Sequence, residues 1–327
     1  MWSSTVDRRQ FMRSASLGLA ALPFVRTRAL AASRRSRVAL VRTTDRAHGV
    51  RTALALFGIP SPAGKQVVIK PNFNSADDTP ASTHNDTLIQ LVKELQERNA
   101  RVITLAESSG PPQTHGVMER KGIFDLARDH RFAVVDFEEN TDRDWVSFAS
   151  AGTHWPNGFA LPRLITDSEY TVSTCCLKTH GSGGVFTMSL KLSVGLTPKP
   201  IRRTMHASPD MRRMIAELNS GYRPQVIVLD GVSAFTDGGP SRGDLKVGNV
   251  MIAGDDRVAV DAVGLAMLKL LGANRSIMER RIFEQEQIAR AVALGLGADG
   301  PGAIELVTGD EDSRACAGAL RAILDQG

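Results

Sequence analysis

The side chains best suited to chemistry lie in one short stretch of the sequence, residues 175–195. A β-prone run there ends in Lys178 and His180, and Lys191 follows in a predicted helix over residues 187–195. An imidazole titrates near neutral pH and exchanges protons readily, and ammonium groups neutralise a carboxylate or phosphate. We therefore predict catalytic roles for His180, Lys191 and Lys178 on a small anionic ligand. The alternative interpretation is a glycine-rich connection with solvated lysines.

A glycine-rich loop separates His180 from Lys191. Its glycines leave backbone N–H groups open to a bound anion, and they are Gly181, Gly183 and Gly184. The loop follows neither the dinucleotide-binding nor the P-loop spacing. We predict that its glycines contact a cofactor, whose identity the spacing does not give.

Polar residues also follow other strand-like runs, and they form two groups. Because the carboxyl ends of parallel strands meet along one edge of a sheet, both groups should face a ligand there. Those predicted to contact a cofactor are Lys70, Asn72 and Ser108. Those predicted to hold a metal ion through carboxylate oxygens are Glu107, Asp230 and Asp237. For each residue alone, a solvated turn position is the alternative.

Strand-like and helix-like patterns alternate from residue 38 almost to the end of the chain. The apolar run at residues 66–70, for example, precedes a helical pattern at 86–98, a second strand-like run at 101–106 and a further helical pattern at 117–129. Such alternation predicts an α/β fold, a mostly parallel sheet with helices on both faces in Rossmann-like layers. Residues 140–162 are less regular and predict an inserted hairpin or the edge of a lobe. We expect a single α/β domain over residues 32–327.

Residues 1–31 have the features of an export signal. The pair Arg8-Arg9 stands in a segment that resembles the twin-arginine signal, and a weakly apolar run and the cleavage motif Ala29-Leu-Ala31 follow. We predict that the twin-arginine translocase exports the protein to the periplasm or out of the cell. The alternative, a basic tail, explains neither the arginine pair nor the apolar run.

Charge and composition argue against several classes of protein. The chain has a formal net charge of +5, and the leader's five arginines against Asp7 account for +4, so the rest carries +1. A protein that binds nucleic acid needs its positive charge on the folded domain, so we predict that this protein binds no nucleic acid. No later apolar run reaches the roughly 20 residues that span a bilayer. Three cysteines are too few for a disulfide framework, and Cys175 and Cys176 are predicted to be buried packing groups.

Several motifs occur in the order typical of one family. They are Lys70-Pro-Asn, Glu107-Ser-Ser-Gly, Lys178-Thr-His, Asp230-Gly and the segment Ala253–Gly264. In these motifs the chain resembles the family catalogued as domain of unknown function 362, over residues 36–295. The resemblance implies an α/β fold and no particular reaction. Some relatives carry a ferredoxin-like segment with two four-cysteine clusters; because this chain lacks those cysteines, we predict that it holds no iron–sulfur cluster.

The order His180, paired glycines, Lys191 and Gly195 is also similar to a segment of the nickel-pincer lactate racemase family. That similarity implies histidines and lysines that hold a nucleotide-derived cofactor and take the substrate proton. The second catalytic histidine of that family has no clear match here. The identity of the cofactor is therefore either a divalent metal or an organic group.

Three functions from different classes agree with these features. Our first prediction is an exported enzyme that acts on a small anionic substrate with a metal or organic cofactor at the strand carboxyl ends. The second is a periplasmic protein that binds an anion or cofactor without chemistry. The third is an accessory factor for an exported redox enzyme, which would then be its partner.

Overall fold

The structure is a computed structural model that describes residues 35–326, so the predicted signal peptide lies outside the described residues. Its strands are β1 Ser36–Arg42, β2 Gln66–Lys70, β3 Val102–Glu107, β4 Ala133–Asp136, β5 Trp145–Phe148, β6 Phe159–Pro162, β7 Tyr170–His180, β8 Val185–Thr187, β9 Val226–Gly238, β10 Gly243–Gly254 and β11 Ile304–Val307. Its helices are α1 Arg46–Phe57, α2 Asn85–Glu97, α3 Thr114–Arg120, α4 Ile123–His130, α5 Arg163–Thr166, α6 Ser189–Leu192, α7 Lys199–Ala207, α8 Met211–Leu218, α9 Arg257–Leu270, α10 Arg275–Met278, α11 Glu286–Ala293 and α12 Glu311–Asp325.

Within the described residues, nine strands form one sheet in the order β11-β1-β10-β9-β7-β2-β3-β4, with β8 added against β7. The strands β9, β7, β2, β3 and β4 run parallel to one another. In contrast, β10 is antiparallel to both of its neighbours. The sheet is mixed but mostly parallel, which confirms the predicted α/β class. The carboxyl ends of β2, β3 and β7 therefore lie at one edge.

Helices cover both faces of the sheet, as predicted. Alternate residues of β1 point to opposite sides, so Leu40 joins one apolar core and Val41 joins the other. The helices α9, α11 and α12 pack on the first core, and α1, α2 and α4 pack on the second. The central strand β7 is buried along its whole length, as expected of a parallel strand with helices on both sides.

The segment after β7 differs from the prediction. The strand continues through Lys178 to His180 and then folds back as β8, so that Lys178 pairs with Thr187 and His180 with Val185. The helix predicted over residues 187–195 is only the single turn α6, continued by a 3-10 turn at Ser193–Leu196. The glycine-rich loop is thus the turn of a β-hairpin. The hairpin fixes the end of β7, which a simple strand-to-helix loop would leave free.

Two further regions can be compared with the elements predicted from the sequence. The predicted hairpin at residues 140–162 is confirmed as β5 and β6, which pair in antiparallel fashion. The helix predicted over residues 117–129 is split into α3 and α4 because Gly122 adopts a left-handed conformation with φ of 67°. The helix α7 was not predicted at all. Among residues 35–326, no helix has both the length and the apolar character needed to cross a membrane.

Candidate functional site

A cavity of about 740 Å³ opens at the carboxyl ends of β2, β3 and β7. The segments α6 and α7 and the turn between β9 and β10 close its other sides. Of the predicted site residues, those that line this cavity are Lys70, Asn72, Glu107, Ser108, His180 and Lys191. The predicted edge thus brings together residues from four separate segments of the sequence. The volume is that of a typical small-molecule site.

The side chains of His180 and Lys191 both lie close to the backbone of Gly184. A Cβ atom placed on Gly184 would lie 2.8 Å from His180 Nδ1 and 2.9 Å from Lys191 Cε. Contacts this short do not occur for real Cβ atoms, so the position has no room for a side chain. The hairpin between β7 and β8 brings the imidazole and the amine into one space, and glycine at this position permits it.

The imidazole of His180 is neutral. Burial, reinforced by the positive charges of Lys191 and nearby groups, lowers the pKa of His180 to about 2. Its Nδ1 atom accepts a hydrogen bond from the Gly184 N–H at 3.3 Å, so we assign the ring proton to Nε2. His180 therefore offers the cavity an uncharged N–H donor.

Lys191 is a buried amine without an acidic partner. Only 8% of its surface is exposed, and among residues 35–326 its Nζ atom has neither a hydrogen-bond acceptor nor a carboxylate in ion-pair contact. Burial, and then the charges of Lys178 and Arg202, lower the pKa of Lys191 to about 7. The amine is therefore close to half protonated at neutral pH, which suits a group that accepts and returns a proton.

Lys70 and Glu107 form a buried ion pair at the base of the cavity. Lys70 Nζ lies 2.5 Å from Glu107 Oε1, and the backbone N–H groups of Phe73 and Ser108 also donate to this carboxylate. A Cβ atom on Gly195 would come within 2.8 Å of Lys70 Nζ, so the pair needs glycine there. The carboxylate of Glu107 is thus fully engaged by donors from the protein.

Lys178 lies beneath the cavity and does not line it. Its Nζ donates to Asn72 Oδ1 at 2.9 Å, to the Ala81 carbonyl at 2.6 Å and to the Pro240 carbonyl at 3.2 Å. Burial lowers the pKa of Lys178 to about 8. Because all three protons of the charged form have acceptors, this geometry gives Lys178 a positioning role. It fixes Asn72 and the turn between β9 and β10 against the end of β7.

The glycine loop supplies less to the cavity than the sequence indicates. Within it, only Ser182 lines the cavity. The Gly181 N–H donates to the Gly239 carbonyl at 3.2 Å, and the Gly184 N–H donates to His180. These two N–H groups are used within the protein, so in this geometry the loop holds the imidazole and does not form an anion cradle.

The carboxylates predicted to hold a metal are not brought together. Asp230 accepts hydrogen bonds from Arg46 Nε and Thr87 Oγ1, each at 2.8 Å, whereas Asp237 accepts from Asn274 Nδ2 at 2.9 Å. Neither Asp230 nor Asp237 lines the cavity that contains Glu107. Over residues 35–326 there is no group of three or more His, Cys, Asp or Glu side chains able to hold a metal ion. The lining does not fit a divalent cation.

Helix α7 places cationic and imidazole side chains on the cavity, and sequence reasoning missed it. Residues of one helical face line the wall, namely Lys199, Arg202, Arg203 and His206. Their spacing is that of a helix face, which is the signal that would have revealed them. The ring of His206 is nearly parallel to that of His180, with 6.4 Å between centroids.

Arg202 is held rigidly. Its guanidinium donates to the Ser109 carbonyl and to Ser108 Oγ, each at 2.6 Å, and to the Thr197 carbonyl at 2.9 Å and 2.6 Å. Burial lowers the pKa of Arg202 to about 10, so it stays charged at neutral pH. Its hydrogen-bond partners are carbonyls and a hydroxyl, so within the described residues no carboxylate is ion-paired with it.

The charge of the cavity is positive. Glu107 neutralises Lys70, and Glu138 lies 2.7 Å from Lys199 Nζ. In the part of the chain that the structure describes, the cations of the wall without an ion-paired acid are Lys191, Arg202 and Arg203. Such a lining favours an organic anion.

Asp261 on α9 connects the last sequence motif to the site. This buried carboxylate accepts hydrogen bonds from the N–H groups of Ser189 at 2.7 Å and Leu190 at 2.9 Å. Burial raises the pKa of Asp261 to about 7. It fixes the first turn of α6, and thereby the backbone that carries Lys191.

Residues 67–266 match the family described as Domain of unknown function (DUF362). A thylakoid-associated protein from Synechocystis sp. is 25% identical over 217 residues, which are 63% of this chain and 64% of that protein. The chain thus spans less than two thirds of the length of this curated relative.

The chain is similar to parts of two solved structures. The apoprotein of a lactate racemase from Thermoanaerobacterium thermosaccharolyticum is 14% identical, with a TM-score of 0.43 over 72% of this chain and 58% of that one. A Thermotoga maritima protein solved by structural genomics is 14% identical, with a TM-score of 0.44 over 69% of this chain and 56% of that one.

Proposed function

The chain belongs to the family described as Domain of unknown function (DUF362), and from that premise we propose that it is an enzyme that moves a proton on a small organic anion. The observation that carries this proposal is the position of Lys191 beside His180. A buried amine without an acidic partner and a neutral imidazole face one cationic cavity of about 740 Å³. Arranging a titrating base and a neutral donor around one ligand is typical of proton-transfer sites.

Each of these residues has a separate role in the proposed reaction. Arg203, exposed at the rim, and the fixed charge of Arg202 attract a carboxylate or phosphate. His180 donates its Nε2 hydrogen to a ligand oxygen on which negative charge develops, and it remains uncharged throughout. The amine of Lys191 accepts the proton and returns it. Because the amine must be neutral to act as a base, turnover should rise with pH through about 7.

Any cofactor held here is proposed to be an organic anion. The wall offers ammonium, guanidinium and imidazole groups, and the single carboxylate that the described residues contribute to it, Glu107, is already bound by Lys70 and two backbone N–H groups. These groups suit a phosphate or carboxylate and not a divalent cation, which prefers several free oxygen ligands. Such a cofactor would supply an acceptor for electrons of the substrate, while the chain's own residues orient it and move the proton.

The same proposal includes export. The Arg8-Arg9 segment supports recognition by the twin-arginine translocase, which would place the working enzyme in the periplasm or outside the cell. A folded protein is the form that this route carries, so any cofactor would be inserted before export.

Deuterium exchange tests the proposed reaction. The full chain is incubated in D₂O with a panel of small carboxylates and phosphorylated acids, and NMR follows the loss of carbon-bound hydrogen. We expect exchange in at least one compound, loss of exchange in Lys191→Met and His180→Gln, and wild-type exchange in Lys93→Met, a change of an exposed lysine on α2. Binding of these anions without hydrogen exchange would contradict the proposed enzymatic activity and favour a non-catalytic binding protein.

A further inference from the structure

We propose that Lys191 is also a nucleophile, whose amine forms an imine with a small oxo acid bound in the cavity. This inference rests on the proposed function and names the substrate class of the same site, a carboxylate that carries a neighbouring carbonyl group. An amine attacks a carbonyl carbon only with its lone pair free. Two observations on Lys191 meet that condition, and a third concerns the oxygen atoms of the oxo acid.

First, the other lysines that line the cavity or lie beneath it have polar partners, and Lys191 does not. Lys70 is paired with Glu107, and Lys199 is paired with Glu138. Lys178 donates to three oxygen acceptors. Among residues 35–326, Lys191 Nζ has no such partner although 92% of the residue is buried, so a ligand would be the first group to contact it.

Second, a cation that cannot move away stands near the amine. The guanidinium of Arg202 is tied to Ser108, Ser109 and Thr197, and its charge disfavours a second charge on Lys191. Burial beside a fixed cation is a recognised way to keep a lysine unprotonated and nucleophilic. The pKa of Lys191, lowered to about 7, agrees with this geometry.

Third, the wall carries donors for the oxygen atoms of an oxo acid. Thr187 lines the cavity, and its Oγ1 atom is buried without a hydrogen-bond partner within the described part of the chain. His180 presents its Nε2 hydrogen nearby, and Arg203 at the rim is free to meet the carboxylate. A buried hydroxyl without a partner is costly, and a ligand oxygen would satisfy it.

The chemistry balances without an oxidant or reductant. The lone pair of Lys191 Nζ forms a bond to the carbonyl carbon, and one amine proton moves to the carbonyl oxygen. Loss of the resulting hydroxyl with the second amine proton releases one water and leaves a C=N bond. His180 lines the cavity, and its neutral Nε2–H group supports the oxygen while it carries charge.

The titratable and charged groups around Lys191 determine how imine formation depends on pH. They are Lys178 and His180 on β7, Lys70 and Glu107 on β2 and β3, Lys199, Arg202, Arg203 and His206 on α7, and Asp261 on α9. Glu107 and Asp261 are the acids of this set; Glu107 is paired with Lys70, and Asp261 accepts hydrogen bonds from the Ser189 and Leu190 N–H groups. We therefore expect more imine at about pH 8 than at about pH 6, because the amine of Lys191 loses its proton in between.

Borohydride trapping tests the inference. The full chain is incubated with pyruvate and sodium borohydride, and mass spectrometry locates the reduced adduct. In parallel, calorimetry measures the binding of pyruvate and of propionate, which has a carboxylate but no carbonyl. We expect both acids to bind, one stable adduct from pyruvate on the peptide that contains Lys191, and none from propionate.

Two variants complete the test. Lys191→Arg should abolish the adduct, and Lys93→Arg, a change on the exposed face of α2, should leave it unchanged. Peptide mapping of the wild-type protein gives the same answer if Lys191→Arg fails to fold. Binding of both acids without an adduct, or an adduct spread over surface lysines, overturns the imine alone. Binding of neither acid overturns the anion site on which the proposed function also depends.

Discussion

Asp261 Oδ2 accepts a hydrogen bond from the backbone N–H of Leu190 at 2.9 Å, and this bond ties helix α9 to the residue just before Lys191. The other oxygen of the same carboxylate receives the Ser189 N–H at 2.7 Å. A buried acid that caps one helical turn thus positions the amine at the centre of the site. It does so from a part of the chain far away in sequence.

The variant Asp261→Asn tests this positioning. Asparagine can accept only one of the two bonds, so we expect a loss of about 1–3 kcal/mol in the free energy of unfolding. The pKa of Asp261 is raised to about 7 in the folded state, so the folded protein holds a proton that the unfolded chain releases between about pH 4 and 7. Asp261 therefore makes stability fall as pH rises through that window, and the variant should lose that slope.

Urea denaturation at several pH values measures the effect. Asp129→Asn, a change of an exposed carboxylate on α4, is the matched control and should keep the wild-type slope. An unchanged slope in Asp261→Asn would show that this carboxyl does not hold a proton in the folded state.

Two lysine variants compare the effect on stability of a buried charge in an ion pair with that of a buried charge outside one. Lys70→Met leaves Glu107 buried without its cation, and we expect a loss of about 3–5 kcal/mol in the free energy of unfolding. Lys191→Met removes no cation from an ion pair within the described residues, so we expect the free energy of unfolding to stay the same or to increase. Because the pKa of Lys191 falls from 10.5 to about 7 on folding, the cost of the buried charge is fully present below pH 7 and fades as pH rises towards 10.

The gain from Lys191→Met should therefore be largest near pH 6 and about half as large near pH 9, as measured by urea denaturation. Equal losses in the two variants at pH 6 would mean that Lys191 has a partner that stabilises its charge.

Gly184 offers a steric test of the site. In Gly184→Ala the new Cβ atom would collide with both His180 Nδ1 and Lys191 Cε, so both groups must move. We expect propionate affinity to fall roughly tenfold, or about 1.4 kcal/mol. Gly181→Ala is the matched control, because its Cβ atom would meet nothing nearer than 3.5 Å. Similar calorimetric affinities for the two variants would refute the close packing of the pair.

Export is tested by conservative changes. Arg8→Lys combined with Arg9→Lys keeps the charge of the leader but removes the guanidinium pair, so the precursor should remain in the cytoplasm. Arg26→Lys alone should not affect export. Cell fractionation and immunoblotting measure the distribution, and normal export of the double variant would remove the twin-arginine assignment.

Much of the fold could be predicted from the sequence because its strands are short apolar runs and its helices have regular apolar spacing. The strand Gln66–Lys70 was predicted at its true ends, since Pro71 stops it. Helix α7 was missed because it has few apolar residues, and two of its polar side chains, Lys199 and Arg202, are held by partners far away in sequence.

The site was predictable where its residues end parallel strands, as do Lys70, Glu107 and His180. It was not predictable where the role depends on partners that only the fold supplies. Lys178 finds acceptors in Asn72, in the Ala81 carbonyl and in Pro240. No spacing within the strand indicates that these oxygens converge on its amine.

The central claim is that His180 and Lys191 act on one ligand, and a double-mutant cycle tests it most directly. Calorimetry measures propionate binding at about pH 6, where Lys191 is mostly charged, for the wild type, His180→Ala, Lys191→Ala and the double variant. Circular dichroism confirms that each variant is folded. We predict non-additive losses, with a coupling free energy of about 0.5–3 kcal/mol. Strictly additive losses, or wild-type affinity in both single variants, would contradict the account.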